Sequence, residues 1–132
     1  MHAWTVTGVM DNGFLSTAFS CTNTLSSTVI VGVEVFGPAG VAPLNDASAS
    51  SLVVGPGSTV FLVTSAMAGF SADGSLNLGN QVPKGSARVL TTASFKASQS
   101  ILCSAILADP VNSVPIVMTS LPVIRKTTQL GD

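Results

Sequence analysis

The sequence predicts an all-β protein, an antiparallel two-sheet β-sandwich of seven or eight strands. Apolar residues alternate with polar ones at a period of two, these runs are short, and Gly, Pro, Asn and Asp separate them. No segment of useful length has the apolar spacing of a helix. A closed or partly open β-barrel is the alternative architecture, because the same strand pattern also suits a barrel.

The clearest strand covers residues 28–36. Its odd positions from 29 to 35 are all valine, whereas its even positions are Ile30, Gly32, Glu34 and Phe36. Because successive side chains of a strand point to opposite faces, this pattern predicts a half-buried strand with a valine face toward the core.

The same criteria place strands along the whole chain, at residues 4–9, 14–21, 28–36, 51–54, 59–64, 86–92, 100–107 and 115–124. Turn residues separate them at Asp11-Asn12-Gly13, Pro38-Ala39-Gly40, Gly55-Pro56-Gly57 and Asp109-Pro110. The first of these turns predicts a hairpin between the first two strands. With 132 residues, the chain is expected to form one domain, residues 1–132.

Residues 65–82 are rich in Gly, Ser and Asn, and they predict a long loop with at most one short strand. Two roles are open for this loop. Long loops on β scaffolds often bind ligands. The loop would equally serve to cover an open sheet edge.

The two cysteines both face the interior by strand parity. Cys21 ends the second strand in phase with Phe19, and Cys103 lies in the seventh strand in phase with Ala105. One interpretation is a disulfide, which would stabilise the fold by about 4 kcal/mol and favour an oxidising compartment. The other is a pair of separate buried thiols.

The sequence lacks the residues of most catalytic and metal sites. The single histidine, His2, lies at the start of the chain, so a Ser-His-Asp or Cys-His arrangement is not expected. Two cysteines and one histidine are too few for a zinc site. We therefore predict no catalytic, cofactor-binding or metal-binding residues, no cofactor and no enzymatic activity. A hydrolase is the alternative, and it would need two of four dispersed acids to converge: Glu34, Asp46, Asp73 and Asp109.

Charge and hydropathy restrict the partners. Only 8% of residues are charged and the net charge is −1, so a nucleic-acid partner is not expected. No apolar run approaches the roughly 18 residues of a spanning helix, which predicts no membrane span. Residues 1–5 show no signal-peptide pattern, so a cytoplasmic location stays open beside an extracellular or periplasmic one. Glu34 interrupts its apolar strand and is expected to face solvent or to pair with a base such as Arg88.

Several blocks resemble a group of uncharacterised bacterial proteins, usually exported and built from one small β-sandwich domain. The blocks are Phe19-Ser20-Cys21-Thr22-Asn23, Val31-Gly32-Val33-Glu34-Val35-Phe36, Gly85-Ser86-Ala87-Arg88-Val89-Leu90 and residues 103–109. The resemblance implies an all-β fold with Cys21 and Cys103 paired, and it implies no activity.

Together these features favour a non-catalytic extracellular or envelope module that binds a protein or a glycan. The few charges and the apolar surface favour self-association into a homo-oligomer. The alternatives are a small-ligand carrier with an apolar barrel lumen and the hydrolase described above.

Overall fold

The structure, a computed structural model, describes residues 2–65, 71–94, 96–110 and 118–125. These residues form ten strands: β1 (His2–Asp11), β2 (Ser16–Asn23), β3 (Val29–Phe36), β4 (Leu52–Val54), β5 (Thr59–Val63), β6 (Gly74–Ser75), β7 (Val82–Thr91), β8 (Ile101–Ala108), β9 (Met118–Leu121) and β10 (Val123–Arg125). A short 3₁₀ helix, Ala97–Ser100, precedes β8.

The strands form two five-stranded sheets. Sheet A has the order β10-β1-β7-β3-β4, and sheet B has the order β6-β5-β2-β8-β9. The prediction of a two-sheet β-sandwich is confirmed. The barrel alternative is wrong, because each sheet ends in two edge strands and the space between the sheets is filled by side chains, so the described residues form no barrel lumen of the kind that the carrier alternative assumed.

The core between the sheets is rich in valine. Val29, Val31, Val33 and Val35 of β3 are all buried, as the alternation of the sequence predicts. Phe19 is 2% exposed and packs in the same core from sheet B. The indole N–H of Trp4 donates to the carbonyl of Ile101 at 3.1 Å, which joins β1 of sheet A to β8 of sheet B.

The predicted hairpin between the first two strands is wrong. β1 belongs to sheet A and β2 to sheet B, so the turn at Asn12 joins the two layers. The hydroxyl of Thr17 accepts the N–H of Met10 at 3.1 Å and donates to the Met10 carbonyl at 2.8 Å. This one side chain supplies the hydrogen bonds that the Met10 backbone would find in a hairpin, so the two strands can separate.

The strand predicted at residues 115–124 is two strands in the described part of the chain. β9 pairs with β8 in sheet B, and β10 pairs with β1 in sheet A. Pro122 lies between them and has no N–H to donate to a ladder, which explains the break. Residues 115–117 lie outside the described residues.

The loop predicted at residues 65–82 contains one short strand, as expected. β6 pairs in parallel with β5 and covers that edge of sheet B. Leu76 and Leu78 follow β6 and are buried in the main core. Residues 66–70 of the predicted loop lie outside the described residues.

Candidate functional site

The cysteines form a disulfide within sheet B. Cys21 and Cys103 lie opposite each other on β2 and β8, with their Cα atoms 4.2 Å apart. The bridged interpretation is confirmed, and the interpretation as two separate thiols is wrong. The bridge links residues 82 positions apart at the centre of the sheet.

An apolar depression, here called the outer groove, lies on the solvent side of sheet A. It is formed by β3, β7 and the chain that leads from β3 to β4, and its lining includes Ile30, Gly32, Ala47, Ser51 and Leu90. Its volume is about 320 Å³, which lies at the lower end of the range of small-ligand pockets.

The lack of a side chain at Gly32 allows the connecting segment to cross the sheet at this point. A Cβ atom on Gly32 would lie 3.0 Å from the carbonyl oxygen of Ala47. Any larger residue there would push the segment outward, so the glycine within the valine-rich strand sets the floor of the groove.

Asn45 fixes the segment to the edge of β3. β4 pairs with β3 only at residues 29–31, and beyond that point the described chain pairs with β3 on this side only through an isolated bridge between Phe36 and Pro43. The side-chain amide of Asn45 accepts the N–H of Val35 at 2.8 Å and donates to the carbonyl of Val33 at 2.8 Å. The N–H of Leu44 donates to the Val35 carbonyl at 2.7 Å.

We expect Asn45→Ala to lower the free energy of unfolding by about 1–2 kcal/mol, because it removes two hydrogen bonds and leaves the Val35 N–H without its acceptor. Urea denaturation measures the loss, and hydrogen exchange at Val35 should become faster. Asn80→Ala is the matched control, because Asn80 is exposed and its amide has no hydrogen bond among the described residues. Equal stability of the two variants would contradict the assignment.

Asp46 caps the turn that carries Ala47 and Ser48 of the groove lining. Its carboxylate accepts the hydroxyl of Ser48 at 2.6 Å and the backbone N–H of Ser48 at 3.0 Å. These bonds, the hydroxyl first, hold the pKa of Asp46 below its usual value. The carboxylate therefore acts as a local turn cap for the segment that borders the groove.

A polar depression, here called the end pocket, lies at one end of the sandwich. Its lining includes Asp11 and Gly13 of the first turn, Ser65 after β5, and three amides before β7, those of Asn77, Asn80 and Gln81. Its volume is about 410 Å³. The end pocket and the outer groove share no lining residue.

Comparisons with protein-family models, curated proteins and solved structures find no match to this chain. Its two depressions must therefore be interpreted from their own chemistry.

The four dispersed acids lie on different elements. The Asp73 carboxylate accepts the N–H of Phe61 at 2.8 Å, beside the edge of sheet B, and Asp46 caps its own turn. Glu34 lies opposite Arg88 across β3 and β7. Asp109 follows the end of β8. The residues that line the outer groove and the end pocket include none of these four acids.

Arg88 contacts an aromatic ring. Its guanidinium carbon lies 4.4 Å from the centre of the Phe36 ring, a cation–π contact on the outer side of sheet A. Glu34 and Arg88 are register neighbours on β3 and β7, but the structure shows no ion pair between these two described residues.

In the described part of the chain, no helix is long and apolar enough to cross a membrane. Likewise, the described residues contain no cluster of three or more acidic, histidine or cysteine side chains suited to a metal ion.

Proposed function

We propose that this protein is a non-catalytic interaction module that works outside the cytoplasm and self-associates through the outer groove. The observation that supports this most directly is the position of Val53 beside the groove. Val53 is 69% exposed, and it lies opposite Ile30, a residue of the groove lining.

A protruding apolar side chain next to an apolar depression suits a two-fold dimer. In such an interface the same patch meets itself, so each feature must find its complement on the same surface. A two-fold axis near β4 would insert Val53 of each copy into the groove of the other. Ile30 is 41% exposed, and its burial would add to the apolar area removed from water.

Few charges lie beside the groove. Glu34 and Arg88 are cross-strand neighbours on the outer side of sheet A. With only 8% charged residues in the chain, little other charge opposes a close approach.

The disulfide supports the proposed location. Cross-links of this kind form and persist in oxidising compartments and are rare in the cytosol. A bridge between the central strands of sheet B is compatible with an extracellular or envelope protein.

We expect the protein to sediment as a dimer, at about twice the chain mass of 13.3 kDa, and Val53→Lys to sediment as a monomer. The lysine places a charge in an apolar contact, where its desolvation is unfavourable. Val41→Lys is the matched control, because Val41 is 89% exposed and does not line the groove.

Analytical ultracentrifugation over a range of concentrations measures these masses. A monomeric wild-type protein at every concentration would refute self-association. A dimer that persists in Val53→Lys would place the interface elsewhere and refute the role of the groove.

A further inference from the structure

We infer that the end pocket is a binding site for a neutral carbohydrate. This inference goes beyond the proposed function, because the end pocket and the outer groove are formed by different residues. It rests on the polar groups of the pocket, on the contacts that hold the backbone of its walls, and on one exposed aromatic residue in the adjoining turn.

The polar groups match those of a sugar. Asn77, Asn80 and Gln81 are exposed, and their amides have no hydrogen-bond partner among the described residues. Each amide offers both a donor and an acceptor, and a sugar hydroxyl also donates and accepts. Asp11 adds a carboxylate acceptor at the same pocket.

Hydrogen bonds hold two walls of the pocket together. The Asp11 carboxylate accepts the hydroxyl of Ser65 at 2.6 Å and that of Ser16 at 3.3 Å. Both bonds use Oδ1, which leaves Oδ2 as an acceptor without a described partner. A Cβ atom on Gly13 would lie 3.5 Å from the side-chain amide nitrogen of Gln81. The first turn therefore directly adjoins the segment that carries the three amides.

The amide-bearing wall is fixed by the core. The N–H of Leu76 donates to the carbonyl of Val63 at 2.8 Å, and the Leu76 and Leu78 side chains are buried. Because the chain alternates here, Asn77 between them is held on the solvent side. A pocket that is already formed loses little conformational entropy when it binds a ligand.

Phe14 is an exposed aromatic residue in the turn that borders the pocket. It follows Gly13 of the lining, and it is 83% exposed. The Asn12 side chain accepts the N–H of Phe14 at 3.0 Å and that of Leu15 at 2.8 Å, which fixes the turn. The face of an aromatic ring is partly negative, so it attracts the C–H groups on the flat side of a pyranose.

The lining favours a neutral ligand over an ionic one. The described residues of the lining include no lysine or arginine, so an anionic ligand would meet among them only the negative charge of Asp11. A calcium ion takes six to eight oxygen ligands, commonly with several carboxylates, and this pocket supplies one.

The test is a glycan array that carries neutral, sulfated, sialylated and amine-bearing glycans, probed with the disulfide-bonded protein in EDTA. We expect binding to neutral glycans only. Calorimetry with the best neutral oligosaccharide should then show a loss of affinity of about tenfold or more for Phe14→Ala and for Gln81→Ala. Val41→Ala, an exposed apolar substitution away from the pocket, should bind as the wild type does.

Circular dichroism and thermal unfolding establish that each variant is folded. The inference is refuted if no neutral glycan binds, if charged glycans bind better, or if both pocket variants keep full affinity. Because Val53→Lys leaves the end pocket intact, it should retain glycan binding, and this separates the inference from the proposed dimer.

Discussion

Removal of the disulfide is expected to lower the free energy of unfolding by about 4 kcal/mol, the largest single effect that we predict. The Cys21–Cys103 bridge closes a chain segment with a sequence separation of 82, so in the chain-entropy account it removes many conformations from the unfolded state. For a chain of this length such a loss corresponds to a decrease in melting temperature of roughly 10–20 °C.

The measurement is urea denaturation of the wild type with and without reductant, together with the double variant Cys21→Ala, Cys103→Ala. Reductant should lower the wild-type midpoint and leave that of the double variant unchanged. The native mass should be smaller than the reduced mass by two hydrogens. The bridge is contradicted if freshly isolated protein contains two reactive thiols, or if reductant shifts both proteins equally.

The alternation of side chains made the fold predictable. The valines of β3 occupy the core face because a strand exposes successive residues to opposite sides, and this depends only on local sequence. The same alternation places Cys21 and Cys103 on interior faces, but it leaves open whether they form a disulfide or remain separate thiols. The alternation does not show which strands lie next to each other in a sheet.

Two errors have this cause. The turn at Asn12 has the composition of a hairpin turn, but β1 and β2 find their partners in different sheets, and Thr17 bonds to Met10 where a hairpin would pair them. At Pro122 the apolar pattern continues, but proline has no N–H to donate to the ladder. The chain therefore leaves sheet B there and continues in sheet A. The apolar pattern alone does not show whether two consecutive strands pair with each other or belong to different sheets.

The sequence does not predict the outer groove, and it predicts the end pocket only in part: the loop at residues 65–82, for which ligand binding is one open role, supplies most of the lining. The outer groove forms where the segment at Ala47 crosses over Gly32 of β3. The one feature of the sequence that indicates this crossing is a glycine at the centre of a valine-rich strand. The end pocket brings Asp11 to Gln81 across the sandwich end. The sequence marks Asp11 only as a residue of the first turn, whereas its carboxylate also accepts the hydroxyl of Ser65, 54 positions away.

Gly85→Ala is expected to destabilise the protein by about 3 kcal/mol, although it adds a single methyl group. Gly85 lies on β7 beside β3, and the carbonyl oxygen of Phe36 occupies the space that a Cβ atom on Gly85 would need. The Val82 side chain, which is buried, would lie 2.9 Å from that atom.

The obstacle at Gly85 is backbone, so no rotamer change relieves it. Six successive residue pairs align β3 with β7, and a shift large enough to admit the methyl group would break part of that ladder. Gly55→Ala is the matched control: neither glycine has a positive φ, and the nearest atom to a Cβ on Gly55 is the Ser58 hydroxyl at 3.6 Å, an ordinary contact. Its stability should be unchanged or slightly higher, because alanine reduces the entropy of the unfolded chain. Urea denaturation of the two variants side by side measures the difference in their free energies of unfolding. Equal midpoints would mean that β3 and β7 do not approach each other as closely at Gly85 as the structure shows.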